Sequence, residues 1–163
     1  RGLGDVYKRQ VLMMLAFTSM AAAAPSQVNR SMTAINAAKA EIPAVCELVG
    51  YNVDGDTSII TFKDPNTLER YVVDVNTATA KVQEIEVKGA TFVMGSTMVT
   101  KTPDDIEKIV LKNYPNAYEI VITQGQDGNN IYYIADFLTD KFDGELKLDP
   151  VTGAICEREL EYF

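Results

Sequence analysis

Histidine and tryptophan are absent from the 163 residues, and cysteine occurs only twice. Without histidine the chain has neither the usual base of a Ser or Cys catalytic triad nor the commonest zinc ligand, so hydrolysis by those routes is excluded. Long apolar runs are also scarce. The longest, Val11 to Phe17, breaks down at Thr18-Ser19, well short of the roughly 20 apolar residues that a membrane-spanning helix needs. Basic residues are few as well, 15 Lys and Arg against 23 Asp and Glu.

That short apolar run lies between Lys8-Arg9 and Ala21-Ala22-Ala23-Ala24-Pro25, the basic, apolar, small-residue order of a secretory signal peptide. Residues 1–24 read as leader and signal peptide. Pro25 disfavours cleavage just before it, which places the cut near Ala23 and the mature chain in the periplasm or outside the cell, with no stable membrane anchor. Removing residues 1–24 leaves 22 acidic residues against 12 basic ones. Such a surplus repels phosphate backbones and anionic lipid, so nucleic acid and membrane surfaces are not expected partners.

Cys46 and Cys156 lie far apart in sequence. In an oxidising compartment they could pair, and closing so long a loop would contribute about 4 to 5 kcal/mol in the chain-entropy model. Equally, each could be a small buried hydrophobe in its own strand.

Hydropathy along the chain predicts a helix, then strands, then both again. Ala34, Ile35, Ala38 and Ile42 recur at helical spacing between Ser31 and Pro43, which predicts a thin helix over 32–41. Strands follow at 45–53, 58–62, 71–75 and 81–88, separated by the turns Asp54-Gly55-Asp56, Lys63 to Asn66 and Asn76-Thr77-Ala78. Residues 89–101 form an irregular apolar connection. Thr102-Pro103-Asp104-Asp105 supplies a hydroxyl cap, a proline for the first turn and two carboxylates for the positive end of a helix dipole. The helix carries Ile106, Ile109, Val110 and Tyr114 on one stripe and stops at Pro115. More strands follow, with the turn Asp149-Pro150-Val151-Thr152-Gly153 before the last. Placing Pro43 on Pro115 sets apolar on apolar at six positions, and Asp74 to Ala78 reads as an earlier copy of the Asp149 turn. The expected fold class is therefore α+β, two tandem repeats over 25–88 and 102–163, each with one helix packed on a roughly four-stranded antiparallel sheet, the two able to sit side by side with their strands in one extended sheet.

A helix ending near a proline, a strand pair with a glycine turn, an extended strand and then Asp149-x-x-Thr152-Gly153 before a last strand resemble the PepSY domain. The resemblance runs over Met32 to Lys88 and Thr102 to Phe163, and a tandem of such units is similar in architecture to the bacterial β-lactamase inhibitor proteins. The first copy departs from the pattern in having Ala78 where the family has glycine, and alanine resists positive φ. The resemblance implies a non-catalytic exported protein that inhibits, chaperones or modulates a peptidase, and it brings no catalytic residue and no cofactor.

The residues themselves agree with a binding role. Asp56-Thr57-Ser58 has the letters of an aspartic-peptidase triplet but sits in a polar turn and lacks a second copy. Asp54 with Asp56, and Asp140 with Asp143, lack the ligand count of a Ca²⁺ loop. Glu157, Glu159 and Glu161 alternate along the last strand and so line one face, either a solvated face or a patch for a basic partner. Tyr132 and Phe137 are aromatic anchors or core. The expected function is thus a binding module with a protein partner, plausibly a peptidase, and the alternative is an envelope sensor of a small ligand or ion.

Overall fold

The computed structural model describes residues 25–89 and 95–163. The leader, its expected cleavage point and residues 90–94 of the connection lie outside the described residues. Helix α1 (Pro25–Ala40) precedes strands β1 (Glu47–Asp54), β2 (Thr57–Lys63), β3 (Arg70–Asn76) and β4 (Val82–Lys88). Helix α2 (Pro103–Asn113) precedes β5 (Tyr118–Asp127), β6 (Asn130–Leu138), β7 (Phe142–Leu148) and β8 (Ile155–Tyr162).

All eight strands belong to a single antiparallel sheet in the order β1-β2-β3-β4-β8-β7-β6-β5. This corrects the expectation of two tandem units, each with its own helix on its own four-stranded sheet. Strands β4 and β8 pair through Glu84–Glu161, Ile85–Leu160, Glu86–Glu159, Val87–Arg158 and Lys88–Glu157. Left unpaired, each would offer a row of backbone donors and acceptors to any passing chain, and pairing removes both edges at once. The core is likewise one cluster, running from Ala34 and Ala38 of α1 through Ile60, Phe62, Val73, Ile85 and Val87 to Ala135, Phe137, Leu146 and Leu160.

The turn that suggested duplication proves to be a hairpin device used three times. In the β7–β8 turn, Asp149 Oδ1 accepts hydrogen bonds from Val151 N at 3.0 Å, Thr152 N at 2.6 Å and Thr152 Oγ1 at 2.8 Å. Gly153 follows at φ 75° and donates to Asp149 O. In the β3–β4 turn Asn76 Oδ1 plays the same part for Ala78 N, Thr79 N and Thr79 Oγ1, with Ala80 at φ 56°. The earlier copy is therefore Asn76 to Ala80, two residues downstream of the one expected. The β2–β3 turn repeats it again: Asp64 Oδ1 takes Asn66 N and Thr67 N, and Leu68 stands at φ 62°. Its recurrence at three hairpins tracks turn geometry, in which Asp and Asn side chains satisfy the backbone two and three residues on.

Both helices lie on one side of the sheet. α1 packs on β2 and β3, and α2 on β5 and β6. α2 starts as its sequence dictates, with Asp105 N donating to Thr102 Oγ1 and Thr102 N donating to Asp105 Oδ2, a reciprocal capping box. Between the helices Tyr114, Phe137, Phe142 and Tyr162 form a chain of ring contacts at 4.7 to 6.2 Å. Arg158 NH1 meets Glu69 Oε1 at 3.2 Å, and Tyr71 donates to Glu69 Oε2. From β2 to β6 the helix side of the sheet is filled. Among the described residues no helix packs on the other side.

Candidate functional site

The strand registers define what that open side presents. Residues Asp74, Glu84, Glu161 and Asp143 stand opposite one another on β3, β4, β8 and β7. Two positions along, Glu86, Glu159, Glu145 and Asp136 form a second row on β4, β8, β7 and β6. Neighbouring strands lie about 4.8 Å apart and same-face residues about 6.8 Å along a strand. Eight carboxylates thus form two parallel rows across the middle of the sheet. A third row, Lys63, Arg70, Lys88, Glu157 and Lys147, is mostly basic and borders them.

Two ion pairs anchor that border: Lys88 Nζ to Glu86 Oε1 at 2.7 Å and Lys147 Nζ to Glu157 Oε2 at 3.2 Å. The hydrogen bond to Glu86 is the main reason the Lys88 ammonium holds its proton above the ordinary lysine range. No salt bridge among the described residues reaches Glu84, Glu145, Glu159 or Glu161. Partial loss of water, followed by the charges of Asp74, Glu159, Glu86 and Glu161, pushes the Glu84 carboxyl above the usual range. Glu145 moves the same way, through lost water first and then Asp136 and Glu159. Like charges directly across a sheet destabilise it, so the fold carries these rows at a cost.

Apolar groups flank the rows. Tyr118, Val121, Ile134 and Leu138 lie on the open side of β5 and β6, with Tyr118 and Val121 exposed. Tyr132 is on the same side; its ring fills the space a Cβ would occupy at Gly125, and Lys147 Nζ sits 5.0 Å from the ring centroid.

Of the residues expected to bind, Glu157, Glu159, Glu161 and Tyr132 share the open side. Phe137 does not: it is 1% exposed, under α2 and against Tyr114. Cys46 is buried, Cys156 is half-buried in β8, and both are free thiols. Burial, first among its causes, raises each thiol above the ordinary range, which makes both weak nucleophiles. Asp149 and Thr152 are spent on their own turn. Among the described residues, no group of three or more His, Cys, Asp or Glu is placed to hold a metal ion.

The acidic partners Asp74, Glu84, Glu86, Asp136, Asp143 and Glu145 were not gathered into a site from sequence. The signal was present in the alternation of acids along β4, β7 and β8. What was missing was the strand order that sets those three side by side.

No protein-family model matches the chain, and no curated protein matches it significantly. Among solved structures the chain is similar to a candidate lipoprotein from Clostridium difficile 630, at 17% identity over 80% of this chain and 92% of that one, with a TM-score of 0.32. A superposition that loose carries no weight for function. Among the described residues no helix is long and apolar enough to cross a membrane.

Proposed function

We propose that the protein is an exported, non-catalytic binding module that docks a protein partner with a basic surface against the open side of its sheet. One observation carries the reading: two rows of facing carboxylates are retained on β3, β4, β8, β7 and β6 although they oppose folding. Arrangements that weaken a fold mark sites kept for another purpose. A cationic partner would neutralise the rows and recover that cost on binding, while Tyr118, Val121 and Leu138 beside them would supply apolar contact. The signal-peptide pattern before Pro25 supports export, and the resemblance to PepSY domains makes a peptidase the partner class to test first.

The experiment is capture from concentrated native secretions with wild type and with Glu159→Lys, followed by titration of the captured protein in pure form. The expected result is a partner held by wild type, released by salt and lost with the variant. Capture of nothing, or capture indifferent to Glu159→Lys, would overturn the reading.

A further inference from the structure

The two edges of the sheet are not alike. At β5, α2 packs over the strand, the register breaks between Tyr118 and Val121, and Glu119 stands at φ 50°. A bulge obstructs the pairing of another strand where it lies, and β1 carries one as well, between Leu48 and Gly50, so the edges differ in helix cover rather than in register. At the other edge, α1 packs chiefly on β2 and β3 rather than on β1. The strand is 8 residues long and contains neither lysine nor proline, the residues that usually blunt an edge. Its register to β2 is unbroken from Gly50 to Asp54. Leu48 and Val53, on the helix side of the sheet by register, are 44% and 47% exposed, and Val49 is 54% exposed. Among the described residues nothing pairs with the outer side of this strand.

We propose that the outer edge of β1 is a second docking site, which accepts an extended segment of a partner protein, basic at both ends and apolar between, as a ninth antiparallel strand. Charge selects this occupant. β1 begins at Glu47 and ends at Asp54, so two copies paired about the strand centre would set Glu47 against Asp54 at both ends, and like charges directly opposite oppose pairing. A second copy also brings the same acidic surplus, 22 acidic residues against 12 basic ones without residues 1–24. A segment with lysine or arginine at each end meets both carboxylates, its apolar side chains cover Leu48 and Val53, and its backbone satisfies the open edge of Gly50 to Asp54. This site is independent of the carboxylate rows.

The probe is a capped peptide as long as β1, alternating valine and threonine with a lysine at each end, titrated against the full chain. Saturable binding is expected, with amide exchange slowed at 50–54 and unchanged along β5. Methylating alternate backbone nitrogens of the peptide keeps its side chains but removes strand pairing, and should weaken binding by about tenfold or more. Glutamate at both ends of the peptide, or Val53→Lys in the protein, should do the same. Val53 is exposed, so that variant retains its fold, and the methylated peptide tests the native chain in any case. Absence of binding, binding indifferent to methylation, or a dimer of the protein abolished by Val53→Lys would each overturn the proposal.

Discussion

Replacing Glu84 by glutamine should stabilise the protein, although it removes a residue from the candidate site. Glu84 faces Asp74 on one side and Glu161 on the other, and a like-charged pair directly across a sheet costs about 0.2 to 1 kcal/mol. Two such pairs, discounted for screening of a half-exposed group, give an expected gain of about 0.5 to 1 kcal/mol at low salt. For a chain of this size that is a rise in Tm of about 1 to 4 °C. The pH dependence has a fixed sign. The folded-state carboxyl is pushed up, so on acidification the folded state takes its proton before the unfolded chain does, and wild-type stability gains from this group as pH falls through the raised value. Below the unfolded carboxylate pKa both states are protonated, and the advantage of Glu84→Gln disappears. Urea titrations of both proteins at neutral and mildly acid pH, repeated in about 1 M salt where screening acts within about 3 Å, measure this directly. A variant no more stable than wild type at low salt, or a gain that survives high salt, would refute repulsion as the cause.

Asp149→Ala should cost about 2 to 3 kcal/mol, because it strands the donors of Val151 and Thr152 in a turn where Asp149 itself is buried; chemical denaturation reads the loss. Hydrogen bonds from Thr152 and Val151 outweigh burial and hold the Asp149 carboxyl below the ordinary range, so its contribution is present above the unfolded carboxylate pKa and fades as pH falls through the lower folded value. Ala80→Gly should stabilise by about 0.5 to 1 kcal/mol, since Ala80 is held at φ 56° and relief of left-handed strain exceeds the added freedom of the unfolded chain. Gly144→Ala should destabilise by about 1 to 3 kcal/mol, because a Cβ there would run into the buried Phe137 ring.

Local order was largely legible in the residues. The capping box at Thr102, the stop at Pro115 and the period-2 runs of β2, β3 and β4 each follow from chemistry confined to a few neighbours. The polar first turns of α1 carry no apolar stripe, so periodicity marks the helix only from Met32 although it begins at Pro25. A shared sheet is legible only as two units laid side by side, and the strands that join them are not. Nothing within β4 or β8 says which strand lies beside it, and the shared turn chemistry of Asp64, Asn76 and Asp149 pointed toward a duplicated unit when it encodes a hairpin. The same gap hid the site: Glu157, Glu159 and Glu161 were found along one strand, but their partners on β4 and β7 became visible only with the register. Phe137 misled for a related reason, since alternation puts it on one side of β6 without saying which side α2 covers.

Glu159→Lys bears most directly on the central claim, because Glu159 faces Glu86 and Glu145 and the variant turns two repulsions into attractions. If the carboxylate rows are kept for docking, the variant unfolds at higher denaturant than wild type and binds the captured partner at least about tenfold more weakly. A variant that is more stable and binds as well as wild type would contradict the account.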